Sequence, residues 1–181
     1  MKEYEHHEMG HTVGLWHFAK PVLSVQASGE GGRTAVAGWD GLSPEQRITI
    51  AHCGWLAERD YAGNPGAVMS GHARRDGPGA DSLLIAEALA ELGLLPTPRV
   101  NRHFIEQARL VLDEHSVLLE DLVRALVDAG GYLDARALAA LCPFPEVYRG
   151  RFSSPNSPGG LTRKAQGRAY SVTCAARLLG E

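Results

Sequence analysis

The chain has 181 residues, 44% of them hydrophobic and 22% charged, which are the proportions of a globular protein long enough to bury one sizeable core. Its formal net charge of -3 gives no global pull toward nucleic acid or an anionic membrane surface. No apolar run approaches the roughly 18–20 residues that cross a bilayer, and the N-terminus lacks the basic-then-apolar build of a secretory signal, so a cytoplasmic protein with no membrane or nucleic-acid partner is expected.

The first predicted element is a helix from about Lys2 to Phe18 that contains His6-His7-Glu8-Met9-Gly10-His11. Residues four apart share a helix face, so His7 and His11 can reach one metal ion while Glu8 lies beside its open position. This is the H-E-x-x-H arrangement of zinc hydrolases. Neutral imidazoles bind Zn2+ at about 2.0–2.1 Å, and a third protein ligand leaves one position for water. The glutamate accepts that water's proton as it attacks a polarised carbonyl. Neighbours on a helix diverge by about 100°, so His6 leaves the face of His7 and His11 and is expected to be exposed. Val13, Leu15, Trp16 and Phe18 provide apolar surface for packing.

After Lys20-Pro21, the stretch from Val22 to Ser28 begins to alternate apolar and polar residues. Gly29-Glu30-Gly31-Gly32 reads as a turn into a second strand, Thr34 to Trp39, giving a small antiparallel hairpin over 22–39. The glycines lack the lysine and following helix of a phosphate-binding loop. Ser43-Pro44 then starts a helix, with serine as cap and proline in the first turn. Ile48, Ile50, Cys53, Trp55 and Leu56 place apolar groups around much of its circumference, so the helix from Pro44 to about Asp60 should be central and buried. The three cysteines, Cys53, Cys142 and Cys174, form no C-x-x-C pair, and Cys53 reads as a buried thiol.

A long glycine-rich loop is expected from about Tyr61 to Ala80, and a length of that kind is often functional. Asp81 opens a helix that Gly93 and Pro96 end, and a further helix is predicted from about Asn101 to His115. The apolar spacing of Leu118, Leu119, Leu122 and Leu126 predicts another over 117–129, which Gly130-Gly131 closes, and a last short helix over 133–141. From Asn101 to Leu141 the pattern is that of a helical hairpin or bundle. Beyond residue 144 the composition becomes basic and rich in Pro, Gly and Ser, so residues 145–181 read as an extended tail with a short helix near Ser171 to Leu179. Such a tail is either solvated or a contact arm for nucleic acid or a partner chain.

Two histidines do not complete a catalytic zinc site, and two carboxylates are placed to do so: Glu58 on the central helix and Asp81 after the long loop. The order of elements resembles the peptidase domain of the FtsH-type ATP-dependent zinc metalloproteases. The likeness rests on His7-Glu8-Met9-Gly10-His11, the strands with Gly31-Gly32-Arg33-Thr34, the helix with Cys53-Gly54-Trp55-Leu56-Ala57-Glu58, and Gly79-Ala80-Asp81 opening a helix. It spans roughly residues 1–142, and the helices around Ala108-Arg109-Leu110 and Leu118-Leu119-Glu120 resemble that family's C-terminal bundle. The resemblance implies a mainly helical α+β fold and a peptidase domain over 1–144 followed by the basic tail. It further implies His7, His11 and Asp81 as zinc ligands, Glu8 as catalytic base, and Glu58 as a neighbour of the site. An aspartate at a helix start also serves as an ordinary N-cap.

The chain carries no G-x-x-x-x-G-K-[ST] loop, so ATP-driven unfolding is not expected from it. The activity that follows is zinc-dependent cleavage of flexible or unfolded polypeptides, with the hairpin pairing an extended substrate at its edge. A separate unfoldase or other partner would serve it, and a homo-oligomer follows from the ring assembly of the family. The alternatives are a non-catalytic adaptor or regulator that retains the fold, and a zinc hydrolase with Glu58 as third ligand.

Overall fold

The computed structural model describes residues 3–29, 31–62 and 80–149, together with the backbone of 170–175. Most of the predicted 61–80 loop and of the basic tail lies outside the described residues. Among the described residues, six helices and a four-stranded antiparallel sheet make a mainly helical α+β fold. No helix among the described residues is long and apolar enough to cross a membrane.

Helix α1, Glu3–His17, is the centre of the molecule. It packs on α2 (Pro44–Leu56), on the strands β1 (Val22–Ser28) and β2 (Gly31–Val36), and on α5 (Ser116–Asp128). Every residue from His6 to Trp16 is consequently buried. This corrects the expectation for His6, which is 5% exposed with its Nε2 3.7 Å from Glu120 Oε1. A helix surrounded on all sides has no solvent face to give it, which the 100° divergence alone does not reveal.

Helix α2 begins as the sequence indicates, with a reciprocal cap: Gln46 N donates to Ser43 Oγ, and Ser43 N donates to Gln46 Oε1. It continues through a wider π turn over Ala57–Tyr61 that carries Glu58. Helix α3, Ala80–Glu91, has Asp81 in its first turn. Helix α4, Pro98–Glu114, starts earlier than predicted because Thr97 caps it, its side chain accepting from Val100 N. The helices α4 and α5 touch each other little: α4 lies on α2, and α5 lies on α1.

The hairpin of β1 and β2 forms with the expected antiparallel sense. Gly31 and Gly32 nevertheless belong to the second strand and not to the turn, and Trp39 opens a short 3-10 turn, Trp39–Gly41. Both outer edges of the hairpin are paired. Strand β3, Tyr132–Asp134, lies on β1, and β4, Tyr170–Ala175, lies on β2, giving the order β3-β1-β2-β4.

The short helix predicted over 133–141 is thus a strand followed by α6, Ala135–Leu141. Positive φ angles at Gly130 and Gly131 turn the chain back onto β1, Leu133 pairs with Val25, and Asp134 Oδ1 caps α6 by accepting from Ala137 N. The helix predicted near Ser171 to Leu179 is replaced over 170–175 by β4, where the ladder offered by β2 overrides local helical spacing. The core also runs past the expected boundary at residue 144. Tyr148, in the turn Pro145–Tyr148, is buried and joins three groups: it accepts from Trp16 Nε1 at 3.1 Å and from Val22 N at 3.2 Å, and it donates to Val22 O at 2.9 Å.

Candidate metal centre

The centre is built where α1, α2 and α3 meet under β2. Helical spacing sets His7 and His11 one above the other on α1, their ring centroids 4.7 Å apart and nearly perpendicular. The first turn of α3 brings Asp81 to the same point. His7, Glu8 and His11 are all 0% exposed, and Asp81 is 3% exposed.

Each ring is held by its far nitrogen. His7 Nδ1 donates to Glu58 Oε2 at 3.0 Å, and His11 Nδ1 donates to the carbonyl oxygen of Ile50 at 2.9 Å. A carbonyl and a carboxylate only accept, so both Nδ1 atoms carry the proton and both Nε2 atoms of the neutral rings present lone pairs. These lone pairs face each other across 3.0 Å, and Asp81 Oδ2 stands 3.1 Å from one and 3.4 Å from the other. Three acceptors converging on one buried point require a shared cation, whether protons or a metal ion. Bonds of about 2.0–2.1 Å to a tetrahedral zinc place ligand atoms about 3.3–3.4 Å apart, close to the spacing found here.

The donor set therefore fits zinc, and the trio has all its ligand atoms within 4.8 Å of one another. A second observation agrees: Asp81 Oδ1 and Glu8 Oε1 are buried with no hydrogen-bond partner among the described residues. Burial alone pushes the Asp81 carboxyl up, but where protons are the shared cation the charges and Nε2–H hydrogen bonds of His11 and His7 outweigh it and hold it well below the usual carboxylate range. Burial raises Glu8, with the charges of His11 and His7 and the Thr34 hydrogen bond opposing.

Glu8 is gripped from β2. Thr34 Oγ1 donates to Glu8 Oε2 at 2.6 Å, and a Cβ added to Gly32 would fall 2.4 Å from Glu8 Cγ. Glycine at position 32 leaves the room that Glu8 occupies. Gly54 does the same for His11, because a Cβ there would lie 2.4 Å from His11 Cε1. Gly10 lets α1 and α2 close, since its Cβ would fall 2.4 Å from the Cys53 carbonyl oxygen.

All four predicted residues are brought together, and Glu58 lies on the outer side of His7, away from the point where the Nε2 atoms meet. Sequence reasoning missed Thr34, although β2 alternation puts Gly32, Thr34 and Val36 on one buried face. It also missed His52 on α2, which is 0% exposed with no hydrogen-bond partner for either ring nitrogen among the described residues. Burial lowers its pKa to about 4, against the opposing charge of Asp81. The expected buried Cys53 thiol is 0% exposed, and burial pushes its pKa up.

No protein-family model matches this chain, and neither a curated protein nor a solved structure matches it.

Proposed function

We propose that the chain is a zinc-dependent endopeptidase that hydrolyses peptide bonds in flexible or unfolded polypeptides. One observation carries this reading: the Nε2 atoms of His7 and His11 and Oδ2 of Asp81 converge on one buried point beside the carboxylate of Glu8. His7, His11 and Asp81 would hold the zinc. Glu58 fixes the tautomer and orientation of His7, and the Ile50 carbonyl does so for His11.

Zinc, when bound, supplies Lewis-acid polarisation of the scissile carbonyl and acidifies water. Glu8 handles the proton. Thr34 fixes its Oε2, which leaves Oε1, unpartnered among the described residues, to take a proton from the attacking water and deliver it to the leaving amine nitrogen as the C–N bond breaks. Its substrates are loose polypeptides or are delivered by an unfoldase, and assembly as a homo-oligomer accords with the family likeness.

The test is Glu8→Gln, which keeps the ligands and removes the base. Zinc content should stay stoichiometric while cleavage of denatured casein falls by at least about 100-fold. Unchanged cleavage refutes the role of Glu8. His11→Ala should lose both zinc and activity, and retained stoichiometric zinc would count against the ligand set.

A further inference from the structure

β2 runs directly past the proposed base, with Gly32 against Glu8 and Thr34 donating to it. One edge of β2 pairs with β1. The other is occupied along its whole length by the backbone of β4, antiparallel, from Gly31 opposite Ala175 to Val36 opposite Tyr170. The two β2 residues that grip Glu8 pair with Cys174 and Val172 respectively. Neighbouring strands lie about 4.7–4.9 Å apart, so the backbone of 172–174 is one strand spacing from those residues.

Strand β4 also lies against α3, the helix whose first turn carries Asp81. One segment therefore touches both walls of the centre: the strand that holds Glu8 and the helix that supplies Asp81. An extended polypeptide added to a sheet edge takes such a position, through main-chain hydrogen bonds that any sequence can make.

We propose that Tyr170–Ala175 is a built-in occupant of the peptide-binding edge of β2, which closes the centre to other polypeptides until the strand is displaced. Its effect on catalysis rests on the peptidase reading above, whereas the occupancy of the edge does not. A tethered strand competes at an effective concentration in the millimolar range, so a free polypeptide must outbid it or a partner must draw the C-terminal segment away.

The experiment uses the full chain. Alternate residues of an edge strand direct their N–H groups at the neighbour, so Val172→Pro with Thr173→Pro removes a ladder bond in either register and breaks the strand. Parent and proline variant, both also carrying Glu8→Gln so that nothing is cut, are titrated with a fluorescein-labelled peptide of residues 168–177 bearing Cys174→Ser. The peptide should bind the proline variant at least tenfold more tightly than the parent. A second variant, Ala35→Cys with Ser171→Cys, joins a directly opposed pair. Its oxidised form should refuse the peptide and its reduced form should bind as the parent does, a comparison that does not depend on the proline variant folding.

With Glu8 intact and zinc supplied, the proline variant should cleave denatured casein at least threefold faster than the parent. Equal peptide affinity for parent and proline variant, or undiminished binding by the oxidised cysteine pair, overturns the proposal. Selective peptide binding with no casein cleavage by either form supports the occupied edge and removes the peptidase reading. Equal casein cleavage with no peptide discrimination removes the occupied edge and leaves the peptidase reading standing.

Discussion

Gly54→Ala is the sharpest test of how the centre is positioned. A methyl at this point of α2 falls 2.4 Å from His11 Cε1, 2.5 Å from Nε2 and 2.9 Å from Nδ1, whereas ordinary contact begins at 3.4 Å. Ring or helix must therefore move by about 1 Å, beyond the tolerance of about 0.5 Å that a working ligand geometry allows. The ring has little freedom, because its Nδ1 is tied to Ile50 O at 2.9 Å and its edge meets the His7 ring. Helix α1 cannot retreat easily either, being backed by β1, β2 and α5.

Overpacking costs about 1–3 kcal/mol, and the better helix propensity of alanine returns about 1 kcal/mol, so the metal-free protein should lose about 0–2 kcal/mol. Zinc affinity should fall by about 10–100-fold, the usual effect of disturbing the groups that orient a ligand. Competition with a chromogenic chelator measures the affinity, and urea unfolding of the EDTA-treated protein measures the stability. Zinc affinity within about twofold of the parent, with stability raised by the full propensity gain of about 1 kcal/mol, would refute the claim that Gly54 makes room for the His11 ring.

Glu58→Gln keeps an acceptor for His7 Nδ1 but loses the charge, so zinc should bind about tenfold or more weakly, while Asp81→Asn should lose stoichiometric zinc. The reverse pattern would make Glu58 the ligand. His52 is held neutral, with its pKa near 4 in the folded state against about 6.5 unfolded. The unfolded state thus binds the extra proton between these values. The stability tied to this residue is complete above about pH 6.5, falls as the pH drops, and levels off below about pH 4, by about 3 kcal/mol in all. Urea unfolding of the metal-free protein at pH 7, 5 and 4 should show this loss in the parent and not in His52→Leu; identical pH profiles would reject it. Tyr148→Phe strands the Trp16 indole N–H and the Val22 N–H, and should cost about 1–3 kcal/mol by chemical denaturation. A neutral result would mean that water satisfies both groups.

The parts of the centre that were legible in sequence are those with a short-range period. The pairing of His7 with His11 follows from 3.6 residues per turn, and the start of α2 follows from Ser43, Pro44 and Gln46 acting on their own backbone. Leu133 and Leu138 fit a helical spacing, and only the edge of β1 makes β3 a strand. The burial of His6 depends on α5, more than a hundred residues away in the chain. The hydrogen bond of Thr34 to Glu8 and the clearance at Gly54 are likewise tertiary facts, visible only when helices and strand are placed together.

The order of synthesis gives the sheet a history. The strand β2 and the helices around the centre are encoded ahead of β4, and residues 150–175 take about 1–5 s to add at about 5–20 residues per second. Contacts between segments so far apart in the chain also form late in folding, since a long loop must close first. Each newly made molecule therefore passes through an interval in which β2 has been made and β4 has not.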